Sequence, residues 1–207
     1  MKICIALTKG RLEEQFLNYF RTLSYNIDPL VNKGRKLSVE TENFQFIFAK
    51  GVDVATYVEH GIADIGIIGE DILLEYQPDV YNLLPLPFGK CRFSLAEQEK
   101  KGVKRKQKRT IATKYPNFTT DFFRKKGESV DIVKLEGSVE LAPLLGLADA
   151  IVDIVETGTT LRENGLIVTE DIHWISARCI ANRSSLKIKR ELITPLIEAI
   201  VPKEEIR

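Results

Sequence analysis

The chain has 207 residues, enough for one large domain or two small ones, and with 44% hydrophobic and 29% charged residues it can bury a core. Thirty basic against twenty-nine acidic side chains leave a formal charge of +1, which gives no general argument for nucleic acid or a membrane surface. No apolar run approaches the roughly 20 residues of a membrane span, and the start lacks a signal-peptide pattern. Three scattered cysteines and two isolated histidines fit buried thiols in a reduced, cytoplasmic protein without a zinc site.

Short apolar runs alternate with helical patterns, which predicts an α/β chain with mostly parallel sheet. "KICIAL" (2–7) reads as a buried strand. After "TKG", Leu12, Phe16, Tyr19, Phe20 and Leu23 recur at helical spacing. "FQFIFA" (44–49) is a strand; Asp53 is placed to cap the next helix and Gly61 to end it. "ADIGIIG" (63–69) is a further strand, followed by the short helix "DILLEY", and "LLPLPF" leads through "GKCRFSLA" into a different region. There, residues 100–109 carry seven basic side chains and no acid. A solvated loop is the plainer reading; a patch that attracts polyphosphate or nucleic acid is the other, and base stacking lacks the aromatic residues it needs.

Beyond that run come the strand "TIATKY", a capped helix in "NFTTDFFRKKG", the strand "SVDIVKLEG" and a short helix with Ser138 as N-cap. "AIVDIVE", "TGTT" and "LRENG" read as strand, turn and short helix. Residues 166–183 form one long strand-like passage, and Pro195 breaks or restarts the terminal helix near Thr194. Two βα-rich halves without a linker suggest two lobes, for which a cleft is a natural ligand site.

The stretch 150–165 carries the most chemistry. Gly158 permits a positive φ or a close ligand approach. N–H groups of Thr157 to Leu161 open a helix whose dipole favours an anion, and the hydroxyls of Thr157, Thr159 and Thr160 add donors. Asp153 and Glu156, just upstream, suit vicinal sugar hydroxyls or a hydrated magnesium ion. A phosphorylated ribose would need this set, yet a plain strand–turn–helix capped by Thr160 fits the same letters. Asp153 within an apolar run favours a ligand, because a lone buried carboxylate costs several kcal/mol (roughly). No G-x-x-x-x-G-K-[ST] and no G-x-G-x-x-G occurs.

"ALTKGRL" (6–12), "DVATYVEHGIADIGIIGEDIL" (53–73), "RTIATKYPN" (109–117) and "KLEGSVELAPLLGLADAIVDIVETGTTLRENGL" (134–166) together resemble the ATP phosphoribosyltransferase family. The resemblance implies a two-lobed α/β fold like the type II periplasmic binding proteins, with an interlobe cleft. It places residues 1–89 plus 182–207 in lobe I and 90–181 in lobe II. The implied reaction joins adenine N1 of ATP to C1 of 5-phosphoribosyl 1-diphosphate (PRPP), releases pyrophosphate and begins histidine biosynthesis, with Mg2+ on the polyphosphates. Longer family members add a C-terminal regulatory domain. The chain resembles the short form, which implies a histidyl-tRNA-synthetase-like regulatory subunit in a hetero-octamer and a homodimer of this chain.

By the same resemblance, Glu140, Asp153, Glu156, Thr157, Gly158, Thr159, Thr160 and Leu161 hold PRPP. Lys9 and Arg11 meet phosphate oxygens on the ATP side, and Lys9, Arg35 and Lys50 serve the departing pyrophosphate. Glu70 and Asp71 face the nucleotide, with helix capping the alternative for Asp71 and a first-turn acid the alternative for Glu140. No general base stands out, so positioning and electrostatics are the expected mechanism. A non-catalytic cleft-type ligand-binding module shares the fold but leaves "TKGRL" and the acid-plus-threonine loop unexplained.

Overall fold

Residues 2–99 and 108–201 are described by the computed structural model. The chain forms two units, Met1–Gly89 with Ser176–Arg207, and Lys90–Ile175. Unit 1 opens with β1 (Ile3–Thr8), α1 (Arg11–Thr22), α2 (Asp28–Val31), β2 (Ser38–Glu40) and β3 (Phe44–Ala49). It continues with α3 (Gly51–Glu59), β4 (Ile65–Gly69), α4 (Glu70–Tyr76) and β5 (Tyr81–Pro85). Unit 2 contains β6 (Cys91–Gln98), β7 (Arg109–Thr113), α5 (Pro116–Lys125), β8 (Val130–Lys134) and α6 (Leu141–Leu144), then β9 (Ala150–Val155), α7 (Thr159–Glu163) and β10 (Leu166–Ile175). The chain then returns to unit 1 as β11 (Ala177–Ala181), α8 (Arg183–Ile188) and α9 (Arg190–Ile200).

The period-2 pattern of the strands sorts unit 1 into two cores. Ile3, Ile5 and Leu7 face one side with Phe44, Phe46 and Phe48, where Phe16 and Phe20 of α1 and Ile193 and Leu196 of α9 cover them. Cys4 and Ala6 face the other side with Val54 and Val58 of α3. The strand order is β2-β3-β1-β4-β11-β5; β3, β1 and β4 are parallel, while β2, β11 and β5 run antiparallel to their neighbours. Unit 2 has the order β10-β6-β9-β7-β8, with β9, β7 and β8 parallel. On one of its faces Ala96, Ala112, Ile151 and Val155 meet Ala142 of α6 and Leu161 of α7. Elsewhere in the unit Phe93 stacks on Phe118 of α5 at 3.9 Å and meets Tyr115 edge-on at 4.9 Å.

Several expectations are corrected. Asp53 is not the cap of its helix: α3 starts at Gly51 with Lys50 as N-cap residue, which leaves Asp53 in the first turn. Ser138 is not an N-cap either; it holds a left-handed φ of 47°, and Glu140 precedes α6 instead. The long passage 166–183 is two strands divided at Ser176, because β11 pairs with β4 and β5 while β10 pairs with β6. The second chain crossing therefore falls at 175/176, not at 181/182. Pro195 lies inside α9 without ending it, and the break comes earlier, at Lys189. No helix among the described residues is long and apolar enough to cross a membrane.

Candidate functional site

In unit 1 the three parallel strands end level with one another. Thr8 lies opposite Ala49 and Leu7 opposite Ile67, Lys9 N–H donates to Ala49 O at 2.9 Å, and Thr8 Oγ1 donates to Ile67 O at 2.8 Å. The residues that leave these strand ends therefore share one carboxyl edge, the side on which open α/β sheets bind ligands. Lys9, Gly10 and Arg11 leave β1, Lys50 leaves β3, and Glu70 and Asp71 leave β4. Gly10 has φ 89° and ψ −139°, a conformation closed to side-chain-bearing residues, so "TKGRL" cannot make this bend without it.

Lys9, Arg11 and Lys50 are exposed. Arg11 begins the 12-residue α1 and Lys50 caps the nine-residue α3, so both place a cation at the positive end of a helix dipole, an arrangement an anion would relieve. Among the described residues Lys9 and Lys50 have no ion-pair partner. Arg35 is exposed in the turn closed by Lys36 N–H on Lys33 O at 3.1 Å. That turn reaches the same edge, since Phe48 N–H donates to Leu37 O at 2.9 Å and Lys33 pairs with Glu13 of α1 at 3.0 Å.

The two acids after β4 are engaged locally. Glu70 Oε1 accepts from Arg178 Nη2 at 2.7 Å with only 12% of its side chain exposed, and Glu70 Oε2 accepts from Ser176 N–H at 3.3 Å. Asp71 Oδ1 folds back over Gly69, 2.0 Å from where a Cβ on that glycine would sit. Glu70 thus fastens α4 to the segment leading into β11, and Asp71 packs against the residue that precedes its own helix.

Unit 2 holds the other set. Gly158 has φ 73°, the left-handed conformation expected of it, and a Cβ there would lie 3.3 Å from Arg162 Nη1. Thr157 Oγ1 and Thr159 Oγ1 share a hydrogen bond at 3.1 Å. Leu161 is buried in the core that also contains Val155, which anchors the loop at both ends. Asp153 is half-buried opposite Ser94, not sealed in the core, so the cost of burying a lone carboxylate is a weaker argument than the letters suggest. Glu140 precedes α6, whose Ala142 packs in the same core as Leu161; one face of this sheet therefore carries Glu140, Asp153 and the loop 156–161. At five residues α7 is short for a helix-dipole argument, which shifts weight to hydroxyls and loop amides.

Three residues that sequence reasoning did not single out surround this loop. Arg162 Nη1 donates to Thr157 O at 3.0 Å and its Nη2 to Thr159 Oγ1 at 3.1 Å. Arg92 Nη1 donates to Glu156 O at 3.2 Å, while its Nε donates to Asp171 Oδ1 at 2.6 Å. Asp171 also accepts from Ser94 Oγ at 2.8 Å, and these bonds hold its carboxyl below the usual carboxylate range. The spacing Thr159 to Arg162 is a helical i,i+3 signal present in the letters. Arg92 lies far away in sequence, and only the antiparallel pairing of β6 with β9 brings it to Glu156.

Among the described residues no group of three or more His, Cys, Asp or Glu is gathered to hold a metal ion. Of the basic run 100–109, residues 100–107 lie outside the described residues. Lys108 pairs with Asp131 and Arg109 with Glu128.

A family profile for ATP phosphoribosyltransferase (HisG) matches residues 50–201. ATP phosphoribosyltransferase from Bacillus cereus strain G9842 is 55% identical over 197 residues, 94% of this chain and 93% of that protein. The counterpart from Bacillus anthracis is 54% identical with the same coverage. Among solved structures, the ATP phosphoribosyl transferase (HisG:HisZ) complex from Thermotoga maritima aligns with a TM-score of 0.82 at 35% identity, covering 96% of each chain. The periplasmic aliphatic sulphonate binding protein SsuA from Escherichia coli aligns with a TM-score of 0.63 at 14% identity over 96% of this chain and 71% of its own, a likeness of fold. The two-unit α/β architecture is that of the type II periplasmic binding proteins, and the chain belongs to the ATP phosphoribosyltransferase family.

Proposed function

We propose that this chain transfers the phosphoribosyl group of PRPP to N1 of ATP, giving N1-(5-phosphoribosyl)-ATP and pyrophosphate, the first step of histidine biosynthesis. The observation that carries this reading is the 55% identity to an ATP phosphoribosyltransferase over 94% of the chain. The lone pair of adenine N1 forms the N1–C1 bond as the C1–O bond breaks, and pyrophosphate leaves with that electron pair. Charge grows on the leaving group, so fixed cations lower the barrier more than any proton transfer would. Lys9, Arg35 and Lys50 take that role, and Lys9 with Arg11 meets the ATP phosphates. Asp153 and Glu156 accept hydrogen bonds from the ribose hydroxyls, Glu140 supports the same side, and Thr157 to Leu161 receive the 5-phosphate. Glu70 and Asp71 act on the nucleotide side by shaping the edge after β4, given their local partners.

Mg2+ enters as part of the substrates, chelated by their polyphosphates. The ion keeps several waters and takes few carboxylates, which suits a chain whose described residues gather no ligand trio. The Thermotoga maritima relative is solved as a HisG:HisZ complex, which supports a regulatory, histidyl-tRNA-synthetase-like partner here, in a hetero-octamer built on homodimers of this chain. A cytoplasmic location follows from the substrates.

The purified chain, given ATP, PRPP and Mg2+ with pyrophosphatase to remove product, should develop the absorbance of N1-substituted adenine. Absence of product both with and without the regulatory partner would overturn the assignment. A purely ligand-binding module would bind without turnover.

A further inference from the structure

We infer that Arg92 and Arg162 are positioning residues that set the peptide planes of the loop after β9, so that its N–H groups are aimed before any phosphate arrives. The inference rests on the reading that this loop receives the 5-phosphate of PRPP. Two consecutive carbonyls, those of Glu156 and Thr157, are each held by a different guanidinium, at 3.2 Å and 3.0 Å. In a trans peptide the C=O and the following N–H point in opposite directions. Fixing the carbonyl of Glu156 therefore turns the N–H of Thr157 away from Arg92, and fixing that of Thr157 turns the N–H of Gly158 away from Arg162. Neither N–H donates to another protein group among the described residues. Both remain available to an oxygen ligand.

Each arginine is itself fixed. Arg162 makes a second bond, to Thr159 Oγ1, and so orients one of the hydroxyls of the loop as well as its backbone. Arg92 is held by Asp171 at 2.6 Å, and its guanidinium lies over the Trp174 ring, 5.3 Å from the centroid. Asp171 and Trp174 belong to β10, so the aim of the loop depends on a strand that contributes none of the predicted PRPP ligands. A planar fork with several donors can hold a carbonyl and an anchor at once; an ammonium cannot reproduce both directions. The charge of Arg162 behind the loop also favours an anion in front of it, without touching it, while that of Arg92 is offset by Asp171.

The test compares Arg162→Gln, Arg162→Lys, Arg92→Gln and Asp171→Asn with the unaltered chain in the presence of the regulatory partner. NMR backbone order parameters of Thr157 and Gly158 in the ligand-free protein, steady-state kinetics and melting temperature are the readouts. Each Gln variant should raise the KM for PRPP about tenfold, the scale of one lost hydrogen bond to a charged group, with the KM for ATP within about twofold. The backbone order parameters of Thr157 and Gly158 should fall from about 0.85 to below about 0.6, and the melting temperature should move by no more than about 2 °C. Asp171→Asn, which cannot touch the loop, should shift the PRPP KM in the same direction through Arg92. Arg162→Lys should not restore the wild-type KM.

Unchanged order parameters and an unchanged PRPP KM in both Gln variants would overturn the inference while leaving the proposed reaction intact. Full rescue by Arg162→Lys would also overturn it, since charge alone would then suffice. If the unaltered chain transfers no phosphoribosyl group, the proposed function fails, and the order parameters still decide whether the two arginines hold the loop. Should a Gln variant fail to fold, Arg92→Lys and Asp171→Asn provide the same comparison.

Discussion

Lys189 Nζ lies 2.7 Å from Asp64 Oδ2, an ion pair that ties the segment between α8 and α9 to the residue preceding β4. Asp64 is 3% exposed and also accepts from Ser185 Oγ at 2.6 Å and from the N–H of Cys4 at 2.8 Å. One carboxylate thus joins the first strand, the approach to β4 and the C-terminal helices. Asp64→Ala leaves the Cys4 N–H and the Ser185 hydroxyl without this acceptor and the Lys189 ammonium with only the Lys2 carbonyl at 3.3 Å, and should destabilise the chain by about 3–5 kcal/mol. Urea unfolding measures this, and a loss under about 1 kcal/mol would show that the pair is dispensable.

Thr160→Ala and Gly158→Ala probe the loop directly. The first removes a hydroxyl at an exposed position and should raise the KM for PRPP more than that for ATP. The second places a side chain at φ 73°, 3.3 Å from Arg162 Nη1, and should have the larger effect on PRPP. Strain at such a position is about 1–3 kcal/mol. Equal losses for both substrates would show that the loop does not serve PRPP.

At the edge of unit 1, Lys50→Ala should lower kcat by about tenfold to a hundredfold with a small change in Tm, because the residue is exposed and acts on developing charge. Lys50→Arg keeps a cation at that position and should retain most of the rate. A kcat unchanged in Lys50→Ala would remove this residue from the pyrophosphate assignment.

Burial pushes the thiol of Cys4 up to about 11 and that of Cys179 up to about 12. Only the thiolate reacts quickly with disulfide reagents, so both should be inert near pH 8 in the folded chain and react on denaturation. Mass mapping of labelled cysteines distinguishes them. Rapid labelling of Cys179 in native buffer would contradict its burial.

Asp171 provides a pH test with a defined sign. Its carboxyl is held below the usual range by the hydrogen bonds from Arg92 and Ser94, so it binds protons less readily folded than unfolded. The stability it contributes is therefore complete above about pH 4–5 and disappears as pH falls through the lowered value. Asp171→Asn should lower Tm at pH 7 and converge on the unaltered protein in acid. A Tm gap that widens on acidification would have the wrong sign.

Most elements were legible because strand alternation and helical spacing are local, as in "KICIAL" and the apolar residues of α1. The turn at Gly158 and the short helix after it were legible because a glycine between threonines directly follows an apolar strand. Less was visible wherever pairing decided the outcome. Ser176 divides two strands of different sheets, and nothing in "WISARC" marks the change, since both sides are apolar. Asp153 reads as buried in letters, yet sits half-exposed opposite Ser94. Nothing in "GIIGED" marks the partner of Glu70, Arg178, which lies more than a hundred residues later. Arg92 was missed for the same reason: its role exists only through the register of β6 against β9 and β10.

The chain crossing at 175/176 has a consequence for synthesis. A nascent chain that has emerged only to residue 175 already contains every strand of the second sheet, while the first still lacks β11, leaving β5 unpaired and β4 paired on one side only, with β1. The unit that carries the loop 156–161 can therefore complete its sheet first as the chain is synthesised. Residues 9–71 wait, beside exposed strand edges, for the last segment to arrive and close their sheet. Stalling or truncation shortly before β11 should leave a folded threonine loop attached to an adhesive, unfinished first unit, which makes this seam a place where the chain is most exposed to aggregation.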